Sequence, residues 1–152
     1  MKAASNALFI MFMIMAIFSP VSRAEDTPER AVKLPAFLEI IRSAKQLEDA
    51  RIPASAEKSQ TRKAYEEASQ AGKRVQNDLE WLIHNAEPPG RLYAAALIKR
   101  FDAQRGKEAF EDLKSDKDSV SYKQGGEVVH YSVGEIAIDL LSPHPNIVID
   151  KQ

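Results

Sequence analysis

Pro88-Pro89-Gly90-Arg91-Leu92-Tyr93-Ala94-Ala95-Ala96-Leu97-Ile98-Lys99-Arg100-Phe101 is the stretch on which the fold turns. Two prolines suit the opening of a helix, where the missing N–H has no intrahelical partner to lose, and they stop whatever helix precedes them. Behind them Leu92, Tyr93, Ala95, Ala96, Leu97 and Phe101 spread apolar surface around most of the helical circumference. A helix with so little polar face must be enclosed by other elements, which predicts that this one is central. The fold class that follows is mainly α: a small bundle, or a short right-handed array, of four to five helices.

The flanking segments supply the enclosing faces. Leu34, Phe37, Leu38, Ile41, Ala44 and Leu47 recur at steps of three and four, with Pro35 at the opening and Pro53 beyond the end, which predicts a first amphipathic helix. Over Ser55 to Ala86 a second stripe runs through Ala64, Ala68, Ala71, Val75, Leu79 and Leu82. Its small residues allow close approach to the first helix, and Gly72 is the point where a bend or break is expected. An association between copies through this alanine stripe is the alternative use of the same surface. Downstream of Asp102, Gln104 to Leu113 turns Ala109, Phe110 and Leu113 to one side.

The period then changes from 3.6 to two. With Gly125-Gly126 as a two-residue turn, a hairpin over 119–131 opposes Tyr122 to Val129 and Val120 to Tyr131 on one face. Lys123 opposes Val128, and Ser121 opposes His130, on the other. Ser132 and Glu135 have the spacing of a capping box, which starts a last short helix over Ile136 to Leu141. Pro143-His144-Pro145 ends it. The organisation expected is a helical domain over 34–142 with the hairpin inserted, followed by an extended tail over 143–152.

Pro89 to Ile98 resembles the inner helix of HEAT-type repeats, in which an Arg precedes a pair of alanines and a following Leu. The likeness covers about one repeat, residues 89–113. It implies that the helices on either side of Asp102 are neighbours in a stacked array, and it implies an interaction scaffold rather than an enzyme.

The amino-terminal residues are of another kind. Lys2 precedes an uncharged apolar run from Ala7 to Phe18, Pro20 breaks it, and Val21-Ser22-Arg23-Ala24 carries small residues where a signal peptidase would cut. Residues 1–24 therefore read as a secretory signal peptide and 25–33 as a flexible leader, which places the product in the periplasm or outside the cell. Removing 24 of 152 residues leaves 128, enough for one core. Loss of Lys2 and Arg23 leaves 19 Lys+Arg against 22 Asp+Glu, a net charge of −3. That balance excludes the basic surface of a nucleic-acid binder. With no cysteine anywhere, disulfides, thiol nucleophiles and Cys-ligated metals are excluded as well.

Candidate chemistry is thin. The histidines are His84, His130 and His144, and neither a His-x-x-x-His nor a His-Glu-x-x-His spacing exists. Glu108, Glu111, Asp112, Asp116 and Asp118 make an acidic patch without EF-hand spacing. No metal, cofactor or catalytic set is expected. The expected function is protein binding in the cell envelope, with the hairpin tip as the probe: Tyr122, Lys123, Gln124, Glu127 and His130. An inhibitor or immunity-type protein that blocks a secreted hydrolase fits the same description. The alternative is a ligand or catalytic site where Glu80, His84, Arg91 and Tyr93 flank the Pro88-Pro89-Gly90 bend.

Overall fold

The computed structural model describes residues 33–51 and 56–151. The signal peptide and most of the leader lie outside the described residues, as does Pro53. Six α-helices are described: α1 (Ala36–Arg42), α2 (Gln60–Ala71), α3 (Gln76–Asn85), α4 (Pro88–Phe101), α5 (Ala103–Leu113) and α6 (Val133–Leu141). A three-stranded sheet joins them, with β1 (Leu47–Glu48), β2 (Ser119–Gln124) and β3 (Glu127–Ser132) in that spatial order.

Helix α4 is the centre, as its composition demands. Pro89, Gly90 and every residue from Leu92 to Ile98 are buried, and α4 touches all five other helices and the strands β1 and β2. Two glycines allow its neighbours to come this close. A Cβ on Gly106 of α5 would lie 2.1 Å from the Lys99 backbone of α4, and one on Gly90 would lie 2.5 Å from the Ile41 carbonyl oxygen of α1. Asp102 separates α4 from α5 and caps the latter, its carboxylate accepting from the N–H groups of Gln104 and Arg105.

The first helix is shorter than its periodicity predicts. It stops at Arg42, where the Ser43 hydroxyl donates to the Glu39 carbonyl and competes with the helical ladder. Leu47 is fully buried all the same, from a strand: it pairs with Tyr122 in parallel register. A buried leucine at the right interval is compatible with either structure, and the sheet claims it here. The stripe over Ser55–Ala86 breaks at Gly72, whose φ of 63° lies in the left-handed region, and a 3₁₀ turn (Gly72–Val75) leads into α3. Ala64 and Ala68 pack inside, where α2 meets α1, so the stripe is consumed by the fold and offers nothing to a second copy.

The hairpin has the register expected, with Tyr122 opposite Val129, Val120 opposite Tyr131, Lys123 opposite Val128 and Ser121 opposite His130. Gly125 supplies the positive φ, 60°, that a tight two-residue turn needs. The capping box is complete: the Ser132 hydroxyl accepts from the Glu135 N–H, and the Glu135 carboxylate accepts from the Ser132 N–H at 2.7 Å.

Beyond α6 the chain is irregular, yet it belongs to the body. Ile147 and Ile149 are buried. The Asp139 carboxylate accepts from the Asn146 and Ile147 N–H groups, the Ala50 N–H donates to the Val148 carbonyl, and Arg62 donates to the Ile149 carbonyl. The domain edge expected after Ser142 is thereby carried on to Asp150, because two isoleucines in the last residues, Ile147 and Ile149, have apolar surface to bury.

Candidate binding surface

Strand β3 ends the sheet. Glu127, Val128, Val129 and His130 are all exposed, Val128 at 51% and Val129 at 39%. With Ile138 these are the large exposed hydrophobic residues among those described. Solitary exposed valines are ordinary, but two in sequence on an unpaired sheet edge leave one exposed valine on each face of that edge.

The backbone of that edge has a determinable pattern. The Asp49 N–H donates to the Lys123 carbonyl at 2.9 Å, so the polar backbone groups of Lys123 point toward β1. In an antiparallel pair the residue facing such a position also points its N–H and C=O away from the shared ladder. Val128 therefore presents both groups outward, and His130, two residues on, does the same. Ser132 is next in the series, but its N–H is held by Glu135. The outer edge thus offers the donors and acceptors of two residues, each beside an exposed side chain.

The other side of β2 forms a cleft of about 610 Å³, lined among others by Glu48, Asp49, Arg51, Ser59, Lys123 and Gln124. Here the hairpin is fastened to the body. The Tyr122 hydroxyl donates to Asp49 Oδ2 at 2.7 Å, and the Tyr93 hydroxyl accepts from the Glu48 N–H at 2.8 Å. Burial works against the Asp49 charge, but the side chain and backbone N–H of Arg51 together with Tyr122 outweigh it and hold the carboxyl at about 2. Tyr122 is pushed up to about 12, by burial first and then by the Asp49 carboxylate it bonds. Glu48 accepts from the Ser59 hydroxyl at 2.7 Å. These bonds settle the carboxylates as fasteners of the cleft wall, with their lone pairs already engaged.

Of the hairpin residues predicted to probe a partner, Lys123, Gln124, Glu127 and His130 are exposed. Tyr122 is not: it is 2% accessible, its ring meets Tyr131 edge-on and its hydroxyl is spent on Asp49. The sequence places it near the turn, but the body closes over the inner face at β2. His130 Nδ1 lies 3.3 Å from the Ser121 Oγ across the strands, on an exposed face.

The alternative set around the bend is only partly gathered. Glu80 accepts from Gln76 and from Arg105, which lower its carboxyl below the ordinary range with the Gln76 bond as the leading cause. Arg91 donates to Asp116 at 2.7 Å and to Asp118 at 2.9 Å. His84 is exposed and shares one pocket of about 290 Å³ with Arg91 and another of about 320 Å³ with Glu80. Tyr93 faces the opposite way, fully buried and bonded to β1, because α4 turns one side to α3 and α5 and another to the sheet. Among the described residues no group of His, Asp and Glu is arranged to hold a metal ion.

Asp49, Glu48 and Arg62 are the residues sequence reasoning missed. Arg62 sits in the charge-dense face of α2, where a solvated pair with Glu66 is expected. It is instead 7% accessible, donating to the carbonyls of Glu48 and Ile149, while Glu66 pairs with Lys58. One signal was present: buried tyrosines such as Tyr93 and Tyr122 require hydroxyl partners, and the Leu47-Glu48-Asp49-Ala50 interruption of an apolar stripe supplies them.

No protein-family model, curated protein or solved structure matches this chain.

Proposed function

We propose that this is an exported helical protein of the periplasm or cell exterior that works as a protein-binding module, with β3 and the hairpin tip as its recognition element. The single observation that carries the reading is the unpaired β3 edge, where outward-facing backbone groups lie beside Val128 and Val129, exposed on its two faces. Addition of a strand to such an edge derives affinity from main-chain hydrogen bonds and selectivity from the alternating side chains. Lys123, Gln124, Glu127 and His130 then form the polar rim of that edge. Ionisable groups at the cleft and at the bend are engaged with one another, which supports binding over turnover: Arg91 with Asp116 and Asp118, Glu80 with Arg105, Asp49 with Arg51. An inhibitor or immunity-type protein acting on a secreted hydrolase is the form of binding in which an exported body of this size meets one partner. The scaffold character implied by the HEAT-type resemblance points the same way.

The test is affinity capture of the protein from an envelope extract of its own source cells, with wild type and Val128→Asp run in parallel. A stoichiometric partner retained by wild type and lost with Val128→Asp is expected. Equal retention by both removes β3 from the interface.

A further inference from the structure

We propose that the occupant of the β3 edge is a second copy of this chain, paired antiparallel through β3 with Val129 on the two-fold axis. The inference deepens the binding-module reading above and rests on its assignment of β3 as the recognition edge.

The register follows from the geometry. A two-fold pairing of sheet edges keeps each face of the sheet on the same side, so only residues of like face meet. Alignments with residue 128, 129 or 130 opposite its own copy satisfy this and use the outward groups of β3. Outward N–H and C=O groups belong to Val128 and His130, while the Ser132 N–H is held by Glu135. Centring on Val129 puts Val128 opposite His130 of the second copy, and His130 opposite its Val128, which engages the free groups of both residues in both chains. Centring on His130 would call on Ser132, and centring on Val128 would send His130 to the turn at Gly126.

The side chains agree with that choice. Across the joined sheet one row reads Tyr122, Val129, then Val129 and Tyr122 of the second copy, so the half-covered Val129 is closed by its own equivalent. Glu127 is the one charged residue of the strand, and it falls opposite Tyr131 of the second copy rather than another carboxylate. Apart from the Glu127 charge, devices that blunt natural edges are missing: β3 carries no lysine, proline or bulge over Glu127–Ser132. A strand pair of this length buries less than the roughly 1,200 Å² of a standard interface, so the dimer is a weak, concentration-dependent one.

The absence of cysteine makes the register directly testable. Residues opposed at a non-hydrogen-bonded antiparallel position have Cα atoms about 4.5 Å apart. That distance lies within the range of about 4.4–6.8 Å that a disulfide spans. Under mild oxidation purified Val129→Cys is expected to become a covalent dimer, at least about tenfold faster than Val128→Cys, whose thiol faces histidine. In sedimentation, Val129→Lys and Val129→Glu are each expected to be monomeric at concentrations where wild type associates, and their mixture to associate again. Both positions are exposed, and unchanged far-UV circular dichroism verifies that the variants fold. Equal cross-linking at 128 and 129, or a wild type that stays monomeric to about 1 mM, overturns the proposal. A monomeric wild type whose captured partner is still lost with Val128→Asp overturns self-pairing alone; loss of neither overturns the edge assignment with it.

Discussion

Helix α4 and strand β3 are both apolar in sequence, yet Leu92 and Leu97 are wholly enclosed while Val128 keeps half its surface in solvent. Every apolar side chain of α4 between Leu92 and Ile98 is accounted for by the elements packed around it. Nothing described in the fold accounts for Val128 and Val129. The difference separates two demands on one sequence: the hydrophobic surface of α4 is what the body needs to fold, and that of β3 is surplus to folding. Surplus apolar surface on an unpaired edge carries a cost in solubility, and the binding role proposed above rests on that surplus.

This contrast can be broken by mutation. Leu97→Ala empties a fully buried site in the centre and is expected to cost about 2–5 kcal/mol in urea unfolding. Gly106→Ala should cost about 1–3 kcal/mol or more, because the new methyl meets Lys99 backbone atoms and must open the α4–α5 contact. Next in size, Arg62→Met strips two buried carbonyls of their donor, for about 2 kcal/mol, and should speed hydrogen exchange at the Ala50 N–H as the segment ending in Asp150 loosens.

The bolt between hairpin and body is weaker. Asp49 is held at about 2 against an ordinary 3.8, so its contribution is present above about pH 4 and disappears as the pH falls through 2. With Arg51 half exposed, that contribution is about 1–2 kcal/mol, and Asp49→Asn should remove this part of the acid dependence. Tyr122→Phe is expected to cost about 1 kcal/mol at neutral pH, since it deletes the buried hydrogen bond to Asp49 and the longer one accepted from the Val148 N–H. At the bottom of the series Val128→Thr should stay within about 0.5 kcal/mol of wild type. A stability loss at Val128 as large as that at Leu97 would erase the distinction between the two regions.

Local signals proved legible wherever one element decides its own shape. The double proline opens α4, Ser132 and Glu135 box the start of α6, and Gly125-Gly126 sets a hairpin register that determines which residues face each other. The hairpin tip was legible as exposed for Lys123, Gln124 and Glu127. Tyr122 was misread because a strand's two faces look alike until something covers one of them. Leu47 was misread because a period of three to four cannot distinguish a helix from a short strand that happens to bury the same residue.

The helical majority, the central position of α4 and the pairing within the hairpin follow from periodicity, caps and turns that act over a few residues. Long-range packing placed Leu47–Glu48 in the sheet, turned Arg62 inward to hold the segment ending in Asp150, and left β3 as the open edge. Each of those depends on which distant groups arrive within hydrogen-bonding or van der Waals range, and that information exists only once the chain has closed on itself.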